Sequence, residues 1–147
     1  MMVAYSFKRR FVEPIRWGLG LGLDISDSLL LIGVQKRQTI RANRTGRSRH
    51  ARPGEHIQLY YGMRTKQCGL IGVAKCVSVT GIRIQVSRGI ISIDDYPAIR
   101  EDDLDAFAQK DGFVDWKDMR AFWEAEHGDV KRLGPWTGVL IRWEPIT

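Results

Sequence analysis

The sequence predicts an α+β fold: a small, mostly β barrel with one to three helices packed on it. Three observations point there. Short stretches rich in Val and Ile alternate apolar and polar residues. In GIRIQV, for example, Ile82, Ile84 and Val86 face one way and Arg83 and Gln85 the other. The acidic segment 94–129 carries helical periodicity instead. The order is strands, then this helical insertion, then a closing strand, which suits helices laid against a barrel. With 147 residues, 44% hydrophobic and 10% aromatic, the chain is expected to be one domain, 1–147, with a real core.

Taken in order, residues 4–11 read as a short strand, and 12–17 open a helix after Glu13-Pro14. The run GLGLGL places glycines at Gly18, Gly20 and Gly22. It misses the dinucleotide fingerprint because Leu23 stands where the last glycine belongs. A flexible turn is expected there, then a helix capped near Asp24 or Ser26 and running through 29–32. Pro53-Gly54 predicts a type II turn, since Pro presets φ and Gly accepts a positive φ. Strands follow at 56–63, 70–80 and 81–87, the last two divided by Gly81. A helix is expected at 101–109. A second starts at Asp115, whose side chain can cap it, and ends before Gly128. Its Trp116, Met119, Phe122 and Trp123 share one face, which reads as core rather than ligand pocket. In the closing WTGVLIRWEPI, Val139, Ile141 and Trp143 fall on one side.

The N-terminus, MMVAYSFKRRFVEPI, carries charges where a signal peptide needs an apolar run. The longest apolar stretch, 29–34, is too short to span a bilayer. A cytoplasmic protein without membrane contact is the expectation. Cys68 and Cys76 lack the spacing of a zinc site, and His50, His56 and His127 show no ligand spacing to them. Both cysteines read as small buried thiols, with no metal and no cofactor expected.

Lys+Arg 23 against Asp+Glu 17 gives a net charge of +6, and the excess is concentrated in QKRQTIRANRTGRSRHARPG, residues 35–54. This stretch holds Lys36, Arg37, Arg41, Arg44, Arg47, Arg49 and Arg52 and no acidic residue. If 39–41 is extended, Ile40 points to the core while Thr39 and Arg41 share the other face. A hydroxyl beside a guanidinium suits a phosphate or carboxylate. Lys36 reaches the same face only if 36–38 turns. Three uses compete: a solvated basic loop, phosphate-backbone contact, and catalysis by a desolvated Lys36 acting on Thr39 or a water. Segment 41–54 reads as a mobile basic loop, with His50, Tyr60 and Tyr61 nearby as candidate stacking groups for RNA bases.

KRQTIR, PGEHIQLYYGMRTKQCGLIGVAKC, FAQKDGFVDWKDMRAFWEAEHG and WTGVLIRW, in this order, resemble the ASCH domain family of the PUA-like superfamily. The likeness covers about residues 5–143, and its most specific parts are the stretch from Gly33 through Lys36 and Thr39 to Arg41, the Pro-Gly turn and the DGF with its aromatic helix. The resemblance implies a β barrel with a cleft lined by the KxxT element, and binding of RNA or a modified nucleoside. One branch deacylates N4-acetylcytidine, and the positions matching its proposed catalytic set are Lys36, Thr39 and Asp111. Another branch is associated with RNA cleavage centred on the same lysine. Asp111 stands where the amidohydrolases have glutamate, and 20–35 reads as an insertion. Asp111 in KDGF equally suits a turn cap, since Asp-Gly is a common turn pair.

RNA or nucleotide binding through the basic KxxTxR edge is the leading expectation, because seven cations exceed what an uncharged nucleoside requires. Amidohydrolysis or RNA cleavage by Lys36, Thr39 and Asp111 is the alternative, and an interaction protein with facing basic and acidic surfaces is a third. Oligomeric state is left open.

Overall fold

The computed structural model describes residues 2–21, 34–46, 48–94, 96–127 and 134–146. Within them the chain is α+β, with seven strands in one mixed sheet and three α-helices. Strand β1 (Val3–Phe7) lies parallel to β3 (His56–Tyr61), which pairs antiparallel with β4 (Gly69–Gln85). The far half of β4 pairs with β5 (Ile90–Ile93), which takes β6 (Ile99–Arg100). Strand β7 (Trp136–Pro145) runs along β4 and carries β2 (Gln38–Arg41) on its outer side. Lys75 pairs with both His56 and Glu144, and Ile82 with both Ile93 and Gly138, so β7 occupies the edge of β4 opposite β3 and β5.

Among the described residues no ladder joins β1 to β2, so backbone pairing leaves the sheet open. The two edges nevertheless approach. Arg41 on β2 donates from Nη2 to Ser6 O on β1 at 2.6 Å. The concave side holds Tyr5, Ile57, Leu59, Ile84, Ile91 and Leu140, each buried to within 1% of full coverage. Among the described residues no helix is long and apolar enough to cross a membrane.

Several elements differ from expectation. The first strand stops at Phe7, and Arg9–Phe11 turns as a 3₁₀ helix straight into α1 (Val12–Gly18). That turn exposes Lys8, Arg9 and Arg10 while burying Phe11, which a straight strand through 4–11 could not do for all four. Residues 70–80 and 81–87 are one strand rather than two. Gly81 stays in the ladder opposite Val139, and its amide donates to the Asp94 carboxylate at 2.9 Å. A Cβ there would lie 2.5 Å from Asp94 Oδ1, so the glycine admits a docking side chain rather than breaking the strand. In β7, Leu140 and Ile141 are both fully buried, because a strand flanked by β2 and β4 loses simple alternation. Cys76 is buried as expected but Cys68 is exposed. The helix expected through 29–32 and the proposed insertion lie mainly outside the described residues.

Helices α2 (Asp102–Lys110) and α3 (Trp116–His127) pack on the sheet with Leu104, Phe107, Met119 and Trp123 inward. Asp115 caps α3 by accepting from the Asp118 amide at 2.8 Å.

Candidate active site

The short segment before β2 is fixed from two sides. The Lys36 amide donates to Pro14 O of α1 at 2.9 Å, and the Trp143 amide of β7 donates to Arg37 O at 2.9 Å. Regular strand structure begins only at Gln38, which frees Lys36 from strand parity and lets it join Thr39 and Arg41 in lining one cavity of about 350 Å³. The turn that convergence required is therefore an irregular approach to β2.

Asp111 arrives from the end of α2. The Gly112 amide donates to Gln109 O at 3.1 Å and the Phe113 amide to Ala108 O at 2.9 Å, with Gly112 at φ +95°. These two bonds are the Schellman closure, and they satisfy carbonyls that the helix end leaves free. Asp111 thus takes a cap position along the backbone while its side chain turns into the cavity. The two readings of KDGF describe different atoms of one residue. A Cβ at Gly112 would meet Lys36 Cδ at 2.9 Å, so glycine is needed for the lysine to pass as well as for φ.

The Lys36 ammonium donates to Asp111 O at 2.5 Å and lies 3.5 Å from Asp111 Oδ1. It also sits over the ring of Phe11, 4.7 Å from its centroid. Burial brings the amine down to about 8, with the Asp111 carboxylate pulling the other way. Burial also raises the Asp111 carboxyl, opposed by Lys36 and by a hydrogen bond from Gln38 Nε2 at 3.3 Å. Arg41 is mostly buried. It donates from Nε to Thr39 Oγ1 at 3.1 Å and lies over Phe7 at 4.8 Å. Thr39 is 4% exposed. An amine, a hydroxyl, a guanidinium and a carboxyl therefore share one partly desolvated space.

Much of the remaining wall is aromatic. Phe11, Phe113 and Phe122 contact one another at 5.3 to 5.5 Å between centroids, and Trp123 meets Trp136 edge-on at 4.9 Å. All five line the cavity. The α3 stripe is thus core at Met119 and cavity wall at Phe122 and Trp123. Lys8 and Glu126 form an ion pair between residues that also line it.

The remaining arginines take other tasks. Arg37 donates to Gly18 O at 2.8 Å. Arg49 makes a two-pronged pair with Glu55 at 2.7 and 2.9 Å, and Arg44 donates to Arg49 O at 2.9 Å. Arg52 is exposed at the Pro53-Gly54 turn, where Gly54 has φ +92° and the Glu55 amide donates to Arg52 O at 3.0 Å. Arg47 lies outside the described residues. His50 stacks on Tyr5 at 5.9 Å, and the Ala51 amide donates to Tyr5 Oη at 3.1 Å. The described part of the segment expected to be mobile is thus tied to β1 and to itself. His50 is engaged with Tyr5, and Tyr61 donates to Gln67.

Sequence reasoning missed Gln38 and the aromatic wall. Gln38 shares strand parity with core-facing Ile40, and a glutamine on that face signals a buried polar partner, here Asp111. No family model, curated protein or solved structure matches this chain.

Proposed function

We propose that the chain is an ASCH-type, PUA-like domain whose cleft binds an acylated nucleoside and hydrolyses its amide. The observation that carries this reading is the buried Lys36 amine, held against Asp111 in the same aromatic-walled cavity as Thr39. A cavity of about 350 Å³ falls within the ~300–1,000 Å³ typical of small-molecule sites. Its rings suit a planar base. The approach of β1 and β2 across Arg41 supports a barrel-like sheet.

In this reading the Thr39 hydroxyl attacks the acyl carbon while its proton passes to the unprotonated Lys36 amine. The carbonyl oxygen gains the charge and faces the Arg41 guanidinium. The C–N bond then breaks, and Lys36, with Asp111 3.5 Å away, returns the proton to the departing exocyclic amine. Water hydrolyses the resulting threonyl ester. An amine near 8 is matched to this exchange at neutral pH better than an ordinary lysine.

This reading displaces simple RNA binding because Arg44 and Arg49 already hold backbone or carboxylate groups. One observation favours a nucleic-acid-linked substrate: Arg41 and Arg44 both lie over Tyr5, at 5.5 and 5.0 Å, placing an exposed cation beside the cleft residue.

The test is incubation with N4-acetylcytidine, following cytidine by chromatography. Turnover is expected, with Thr39→Ala and Lys36→Met each lowering kcat/KM by ~100-fold or more and Arg49→Ala near wild type. Folded protein that releases no cytidine, or a Thr39→Ala variant with full turnover, would overturn the mechanism.

A further inference from the structure

Residues that neighbour the cleft set in sequence line a second space. Lys36 and Thr39 face the cleft, whereas Arg37 and Gln38 line a separate groove of about 620 Å³. Asp111 faces the cleft, whereas Gln109 and Lys110 just before it line the groove, and β7 adds Arg142 and Trp143. We infer that this groove is a phosphate-binding site, independent of the cleft chemistry.

Charge is the first argument. Arg37, Lys110 and Arg142 come from three different parts of the chain, and among the described residues no carboxylate lines the groove with them. Lys110 is in place at the C-terminal end of α2, where a cation is favoured, but that does not account for the two guanidiniums gathered beside it. Like charges brought together by the fold are relieved by an anion, and the planar guanidinium fork matches phosphate oxygens two at a time. Arg37 bonds Gly18 O through Nε, and among the described residues no hydrogen bond is made by its terminal amino groups.

The second argument is a donor without an acceptor. Trp143 is 2% exposed and its Nε1–H is buried with no hydrogen-bond partner among the described residues. Leaving such a donor unpaired costs about 1–3 kcal/mol, and it belongs to a residue that lines the groove, so its indole resonance reports on an anion bound there. The same anion would meet the Gln38 amide, which already donates to Asp111 across the wall shared with the cleft.

The experiment is a titration of the ¹⁵N-labelled full chain with inorganic phosphate at constant ionic strength, reading the Trp143 indole N–H resonance, assigned by its loss in Trp143→Phe. A saturable shift that chloride does not reproduce is expected. Arg142→Ala combined with Lys110→Ala should weaken it at least tenfold, and Lys110→Ala alone, at an exposed position, at least threefold. Lys36→Met should leave it within twofold. No saturation, a shift equal in chloride, insensitivity to the Lys110 change, or loss with Lys36→Met would each overturn the assignment. So would tighter binding of a 5′-hydroxyl RNA oligomer than of phosphate, which would make the groove a diester site.

Discussion

Lys36 holds its amine where water scarcely reaches, with a side chain only 3% exposed. Folding lowers its pKa from 10.5 to about 8, equivalent to ~3 kcal/mol against the charged form. Between those values the unfolded chain binds a proton that the folded chain has released. Stability from this group therefore rises as pH climbs from about 8 to 10.5, and the cost is full below 8. Asp111 runs the other way: its carboxyl is raised by folding, so its contribution falls as pH rises above the unfolded value of 3.8. Urea unfolding at pH 7 and pH 10 should show wild type gaining on Lys36→Met by ~2–3 kcal/mol, and a constant difference would rule out a desolvated amine. Lys36 and Thr39 were legible because a lysine and a threonine three apart stand out in KRQTIR. Gln38 was not, because one residue's parity becomes meaningful only once the partner across the fold is known.

At the scale of an element, the end of α2 does two things with one bend. It closes the helix and swings Asp111 to Lys36. Gly112→Ala puts a Cβ at φ +95° and 2.9 Å from Lys36 Cδ, so it should cost about 2 kcal/mol or more in denaturant titration. The variant should also lose turnover beyond its loss of stability, since the lysine has to shift. Retained activity and stability would show that the bend does not position the pair. The helices were readable from period and caps: the Asp115 cap and the α3 stripe lie where the pattern put them. Strand boundaries were harder. A glycine inside a Val/Ile run looks like a break, and only the Asp94 carboxylate on its amide explains why β4 passes through it.

At the scale of the molecule, an open sheet keeps its two edges together through side chains. Arg41 spans from β2 to Ser6 O on β1 while also holding Thr39, so Arg41→Met should loosen the seam and the Thr39 hydroxyl at once. Hydrogen exchange should rise in β1 and β2 well above β4 and β7, with kcat falling more than KM rises. Equal protection in all four strands would mean that the seam is held by something else. The α+β class was legible in alternation and charge segregation. The strand order was not, because β7 enters between β4 and β2, and nothing local in WTGVLIRWEPI distinguishes an inner strand from an edge.

That strand order has a consequence for how the protein comes into being. Thr39 gains its ladder partner, Ile141, on the order of 100 residues after it is synthesised. Until β7 leaves the ribosome, β2 lacks its ladder partner, whereas its basic flank ties to β1 and to Glu55 without β7. In the mechanism proposed above, chemistry at Thr39 therefore waits for β7 to emerge and give β2 its ladder partner.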